Sequence, residues 1–156
     1  MICDALLLVS GSMSAGNVIT GQTVTGTGNV LSSNTVDLSQ NRDIGAGNDI
    51  YLRTQATVAQ VGGTSVEVQA VTADDAALTT NVRVLATTGP LLTAVWKLGA
   101  RQSLKLSVIS GGVGQRYLGA RYVIVGTSTA GAFITDFGIE SQGGQSFYPS
   151  GIPTII

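Results

Sequence analysis

Apolar and polar residues alternate with a period of two along most of this chain, and no segment sustains the 3.6-residue period of an amphipathic helix. In "DIYLRTQATV" the alternation puts Ile50, Leu52, Ala56 and Val58 on one face and Tyr51, Arg53, Gln55 and Thr57 on the other. "TSVEVQAVT" repeats it, with Val66, Val68 and Ala70 set against Glu67 and Gln69. The same reading covers "NVRVLAT" (Val82, Val84, Ala86), "TAVWKLG", "SLKLSVI" (Leu104, Leu106, Val108), "RYLGARYVIVGT" and "GAFITDFGIE". Each run has the length of a strand and one apolar face, which is what a two-layer antiparallel core requires.

Turn signals separate the runs: Gly62-Gly63, Asp74-Asp75, Gly89-Pro90, Gly99, Gly111-Gly112 and Thr127 to Gly131. With "ALLLV" and "NVITGQTVTG" added, the chain reads as about eight to ten short antiparallel strands at sandwich-like spacing. The predicted fold is all-β, a jelly-roll β-sandwich. The single helical candidate is "TADDAALTT", where Thr72 or Asp74 could cap one turn and a plain loop is the simpler alternative. The ends depart from a compact sandwich. Gly11 to Ser33 is rich in Gly, Ser, Thr and Asn, and reads as an irregular edge strand or a loop lying over a neighbour. After Glu140, "SQGGQSFYPSGIPTII" opens on a glycine hinge and then carries Phe147, Tyr148, Ile152, Ile155 and Ile156 around Pro149 and Pro153. We divide the chain into a jelly-roll domain, 1–142, which includes the irregular segment 1–34, and an extended C-terminal arm, 143–156. The arm docks either on a partner or on its own sandwich.

Composition sharpens this picture mostly by exclusion. The chain's 156 residues suit one domain with a real core. A net charge of -1, with neither sign gathered into a block, gives no footprint for nucleic acid. Only 11% of residues are charged, so much of the surface is neutral polar or apolar and suits lasting contact with other protein. One cysteine, Cys3, cannot form an intrachain disulfide, and the lack of histidine removes the commonest metal ligand and general base. The start "MICDALLLVS" lacks a basic cluster and carries Asp4, so it fails as a secretory signal, and no run is long enough for a membrane helix. Synthesis in the cytoplasm, with no membrane partner, is expected.

Candidate chemistry is thin. "RDIGAGNDIYLR" (Arg42 to Arg53) offers a Gly-Ala-Gly run, but a dinucleotide loop needs a third glycine and a following helix, and here a strand pattern follows. Asp43, Asn48 and Asp49 are oxygen ligands without the spaced carboxylates of a calcium loop, so a glycine-permitted turn is the preferred reading. Asp74, Asp75 and Glu140 are the loosely grouped candidates for a carboxylate-only enzyme, though adjacent residues usually point apart. No histidine activates the serines and threonines, and Lys97 and Lys105 read as outward strand positions that serve solubility or protect edges. No catalytic, cofactor or metal residue is assigned, and no enzymatic activity is expected. Trp96, the sugar-platform candidate, reads as core beside Ala94 and Leu98. Arg116-Tyr117 and Arg121-Tyr122 are the residue types enriched where proteins grip one another, or else an ordinary outward strand face.

"CDALLLVS", "TVDLSQNRDIGAGNDIYL", "TADDAAL" and "QRYLGARYVIVGTSTAGAFITDF", in this order across most of the chain, resemble the capsid cement, or decoration, proteins of tailed bacteriophages. The nearest type is the jelly-roll cement protein of the Bordetella short-tailed phage. The RDIGAG segment is the most distinctive match. The chain departs from the pattern at Asn48-Asp49, where an acidic residue and a proline are usual, and at Gly119, where a bulkier residue is. The resemblance implies a jelly roll on the outer capsid surface of a virion, joining neighbouring subunits of the major capsid protein. It also implies self-association, a homodimer in preference to a homotrimer, and no catalytic or cofactor residues. A carbohydrate- or receptor-binding sandwich on the virion is the alternative. Interface residues expected from sequence are Arg42, Asp43, Arg116, Tyr117, Phe147, Tyr148, Ile152, Ile155 and Ile156.

Overall fold

The computed structural model describes residues 5–16, 18–39, 49–106 and 115–138. Among these the chain runs β1 (Leu8–Ser10), β2 (Ser12–Met13), β3 (Ile19–Thr20), β4 (Gln22–Thr23), β5 (Gly26–Leu31), β6 (Val36–Asp37), β7 (Tyr51–Gly62), β8 (Ser65–Ala73), β9 (Arg83–Thr87), β10 (Leu91–Leu92), β11 (Arg101–Lys105) and β12 (Tyr117–Gly138), with one 3-10 turn at Thr93–Val95. All pairings are antiparallel. The protein is an all-β sandwich, nearly barrel-like, in agreement with the jelly roll expected from sequence.

β12 organises both layers. Its first half pairs with β8 on one side and with β5 and β6 on the other; its second half pairs with β7 on one side and with β1 and β4 on the other. β7 and β8 follow β12 as a ribbon that folds over where Gly62 and Gly63 pass Gly126. These glycines take φ values of 75°, 71° and 79°. A Cβ at Gly62 would lie 2.7 Å from the Thr127 carbonyl oxygen, and one at Gly126 would lie 3.0 Å from the Gly63 Cα. Backbone approach this close admits only glycine. The fold-over creates a closed corner at one end of the sandwich. Both ends of β12 lie at the other, open end.

The core fills the space between the halves. Trp96, Tyr122 and Phe133 are its largest fully buried side chains. Phe133 meets Trp96 edge-on, at 5.0 Å between ring centres, and stacks on Tyr122 at 5.4 Å. Each polar handle is satisfied: the Trp96 indole N–H donates to the Val66 carbonyl at 3.1 Å, and the Tyr122 hydroxyl donates to Ser10 at 2.8 Å and bonds the Thr135 hydroxyl at 2.6 Å. Burial pushes the Tyr122 phenol up to about 12, partly offset by those two hydrogen bonds. A smaller cluster, Val71, Ala73 and Leu78, covers the far face of β8. A Cβ at Gly119 would come within 2.5 Å of Leu78, so Leu78 occupies the space that a bulkier residue at 119 would take.

Several expectations need correction. "RYLGARYVIVGT" and "GAFITDFGIE" form one strand and not two, because Gly126 and Gly131 bend the backbone without ending its pairing. "TAVWKLG" is not a strand: it holds the 3-10 turn, which drops Trp96 into the core while Leu98 stays 72% exposed. Of the two readings of Gly11 to Ser33, the structure has short strands and not a loop, with β4 and β5 paired to β12 alone among the described residues. The segment supplies β2 to β5, and Val24 within it is fully buried. Val58 faces outward, not inward, because Ala132 pairs with Val58 and Phe133 with Ala56, leaving Thr57 as an extra residue in a bulge. On β9 the inward side chain is Leu85, with Val84 exposed, and a register shift against β8 accompanies the inversion. "TADDAALTT" contains no helix. Thr72 lies buried in β8, and Asp75 ties the turn. Lys97 is exposed but follows the 3-10 turn and is not on a strand.

Candidate interface

Three ion pairs gather at the open end. β6 meets the start of β12 through Val36 opposite Leu118 and Asp37 opposite Tyr117. That register brings Arg116 against Asp37, with Nε and an Nη each 2.7 Å from a carboxylate oxygen. The guanidinium also lies 5.0 Å from the Tyr117 ring centre. The Arg116 hydrogen bonds, with the Ser39 backbone N–H, hold the Asp37 carboxyl down at about 2, and the Arg116 guanidinium is raised in turn. Asp49 and Lys105 pair at 2.8 Å where β7 begins and β11 ends, and the Asp49 carboxylate raises the Lys105 ammonium above its ordinary value. Deeper in, Asp136 is fully buried and Arg53 nearly so; the guanidinium makes two hydrogen bonds to the carboxylate and lies flat over Gly138, where a Cβ would strike it at 2.6 Å.

Asp74 and Asp75 turn to different partners. Asp75 accepts from the Thr79 and Thr80 backbone and from the Thr79 hydroxyl, which holds its carboxyl down at about 2, while Asp74 accepts from Asn81. They form a tied turn, not a facing pair of carboxylates. Among the described residues no group of His, Cys, Asp and Glu could hold a metal ion, and no helix is long and apolar enough to cross a membrane. Trp96 is wholly buried and presents no platform to a sugar.

Of the interface residues expected from sequence, the structure brings Arg116 and Tyr117 together, and Arg116 is already committed to Asp37, a carboxylate far away in sequence. Arg121 bonds Gln69 on the outer face of β8, while Tyr122 is core. Arg42, Asp43, Phe147, Tyr148, Ile152, Ile155 and Ile156 lie outside the described residues, as do Glu140 and the arm 143–156.

The closed corner is the opposite in character, and sequence reading passed over it. Three segments meet there. Thr64 N–H bonds the Val125 carbonyl at 2.7 Å, Thr93 N–H bonds Thr64, Gln60 N–H bonds Trp96, and Gly99 N–H bonds Ala56. These bonds tie the 3-10 turn and the residues after it along the second half of β7. Leu92 and Val125 both pair with Ser65, so they share the outer face of the sheet. Among the described residues nine large apolar side chains are exposed, and six of them (Val58, Val61, Leu92, Val95, Leu98, Val125) are in these segments. The three segments, 56–66, 91–100 and 124–131, contain one charged residue, Lys97. Beneath them Gln60 is buried, its amide donating to Val24 and Ser128, and its carbonyl oxygen fills the space left by the missing side chain of Gly131. The signal available in sequence was a stretch almost without charge, hidden because the bulge at Thr57 reverses the apparent facing of Val58.

Residues 18–137 match the family model Bbp16. No curated protein matches the chain significantly.

Proposed function

The chain belongs to the Bbp16 family, named after a Bordetella phage protein and pointing to a phage-related structural protein, and from that premise we propose that it is a capsid cement, or decoration, protein. It binds the outside of the head and bridges neighbouring major capsid protein subunits, as a homo-oligomer and without catalytic chemistry.

The observation that carries this reading is a braced sandwich whose exposed apolar side chains collect at one end instead of being scattered. Packaged DNA presses the shell outward, and a protein that buries surface on two subunits at once opposes their separation. Apolar burial of about 25 cal/mol per Å2 makes each contact modest, and repetition over a lattice makes the sum large. Self-association adds to this, since an oligomer released at one foot rebinds quickly while held at the other.

The test is the stoichiometry of the chain in purified virions, together with the temperature at which heads with and without it rupture. The expected result is a copy number comparable to that of the major capsid protein and earlier rupture in its absence. A chain missing from the particle would end this reading.

A further inference from the structure

We propose that two copies of this chain meet about a two-fold axis through the outer face of the sheet in which β8 and the first half of β12 lie side by side, the Glu67 carboxylate of each copy taking the Arg121 guanidinium of the other. The proposal rests on the self-association in the reading above and names the face that makes it.

Strand register makes this one face, because side chains directly opposite one another across a sheet point to the same side. Gln69 is opposite Arg121 on β12 and Thr87 on β9. In the next row Glu67 is opposite Val123, and in the row after that Ser65 is opposite both Val125 and Leu92. Val68, Ala70, Tyr122 and Ile124 alternate with these residues and are core. On the outer side Leu92 and Val125 are exposed. Toward the open end the face stops where Leu78 covers Gly119.

The two charges on this face each keep a free end. Glu67 Oε1 accepts from the Gln69 amide and from the Thr87 hydroxyl, both at 2.6 Å, and Gln69 Oε1 accepts from Arg121 Nε at 2.7 Å. The series from Thr87 to Arg121 holds both charged groups on the sheet, so little side-chain entropy is lost when a partner arrives. It leaves Glu67 Oε2 and both Arg121 Nη groups without a partner among the described residues, since Gln69 stands between the acid and the base. Two other arginines without an ion pair among the described residues lie elsewhere: Arg83 is in register with Thr72, which points to the opposite side, and Arg101 is on β11.

Reciprocity selects the occupant. Glu67 and Arg121 are diagonal neighbours, on adjacent strands and adjacent rows. When the face packs against itself, a two-fold axis in the plane between them sets each residue over its counterpart in the second copy, and both pairs form at once. Gln69 and Val123, on the other diagonal, fall near that axis and meet their own equivalents: each amide still has a donor and an acceptor to exchange, and valine packs on valine. With strands about 4.8 Å apart and rows about 7 Å apart, the face is roughly 20 Å across. Two copies then cover less than the roughly 1,600 Å2 of a standard interface, so the dimer should be reversible.

Sedimentation equilibrium reads the dimer constant. Wild type should dimerise with a Kd of about 10 μM. Glu67→Arg and Arg121→Glu should each weaken this about thirtyfold, because each sets like charges against one another in both pairs. An equimolar mixture of the two variants should return to within about threefold of wild type, since one copy then offers two cations to the two acids of the other. Val123→Asp, which puts two acids together at the axis, should weaken dimerisation about tenfold and keeps the test valid if a charge variant fails to fold, which the near-ultraviolet signal of Trp96 reports. Lys97→Glu, outside these strands, should dimerise as wild type. Wild type that stays monomeric at about 100 μM, folded variants that dimerise as tightly as wild type, or a mixture of folded variants that recovers nothing overturns the proposal. So does a dimer weakened by Lys97→Glu and not by Arg121→Glu, which would give Glu67 the second copy's Lys97. Variants that remain dimeric but no longer decorate heads would assign the face to the shell, and a dimer that forms only after deletion of residues 143–156 would assign it to the chain's own terminal segment; either result overturns the proposal. None of these outcomes changes the copy number in virions, which tests the shell-binding reading by itself.

Discussion

The two ends of this sandwich solve opposite problems. At the open end the strand termini gather acids and cations, and the fold joins three pairs of them: Arg53 with Asp136, Arg116 with Asp37, Lys105 with Asp49. At the closed corner the backbone is fixed by glycine-permitted contacts and the side chains are left exposed and almost uncharged. Charge that is already paired has little left to offer a partner, whereas exposed aliphatic surface gains by being covered. An interface is therefore better sought where the fold leaves an interaction unfinished than where its residues are most conspicuous.

The comparison can be broken most forcefully at the buried pair. Asp136→Ala leaves Arg53 without its carboxylate in a nearly dry site, and should cost about 3–5 kcal/mol of stability in urea unfolding. A loss below about 1 kcal/mol would mean that the open end is not held by this pair.

Tyr122, midway between the ends, gives a pH signature. Its folded value of about 12 lies above the ordinary 10, so the native state keeps a proton that the unfolded state gives up. Its contribution is complete below pH 10 and declines as pH rises from 10 to 12, by about 2–3 kcal/mol in all. Tyr122→Phe should flatten that decline while costing about 1–2 kcal/mol at neutral pH, through lost hydrogen bonds to Ser10 and Thr135. An unchanged alkaline slope in the variant would assign it to another group.

The smallest effect is expected at Arg116. Its pair with Asp37 is exposed, so Arg116→Ala should leave the unfolding midpoint almost unmoved. The visible consequence is local. The Asp37 carboxyl, now protonating near pH 2, should titrate closer to 3.8 in the variant, as followed by carbon NMR. Because its folded value is depressed, whatever the pair adds is present above pH 3.8 and is lost as pH falls through about 2. A wild-type Asp37 that already titrates near 3.8 would show the pair to be absent in solution.

Much of the fold was legible in the sequence. Val66, Val68 and Ala70 point inward and Glu67 and Gln69 lie outside the core, as their alternation says, because β8 is regular along that stretch. The reading failed where the backbone breaks period. Thr127 to Gly131 looks like a turn because glycine marks both turns and bends, and only the pairing of β7 and β8 along β12 shows which it is. One extra residue at Thr57 turns Val58 outward, and a register shift against β8 accompanies the exposure of Val84, neither of which composition reveals. For the site, Arg116 and Tyr117 were found as a pair, but the Asp37 that commits Arg116 is joined to it by tertiary pairing alone. Lys97 reads as an outward strand position from its alternation, and only the 3-10 turn just before it shows that it stands off the sheet.

One strand serving both layers also constrains how the molecule is made. β12 supplies the central partner for β1, β4, β5, β6, β7 and β8, so a nascent chain that has emerged only as far as Gln115 lacks the ladder on which both halves are built. Folding must await β12, and its decisive contacts join residues far apart in sequence, which makes it slow. Until β12 emerges the valines and leucines of the corner belong to an unassembled chain, and the corner comes together only once β7 and β8 have that strand to pair with.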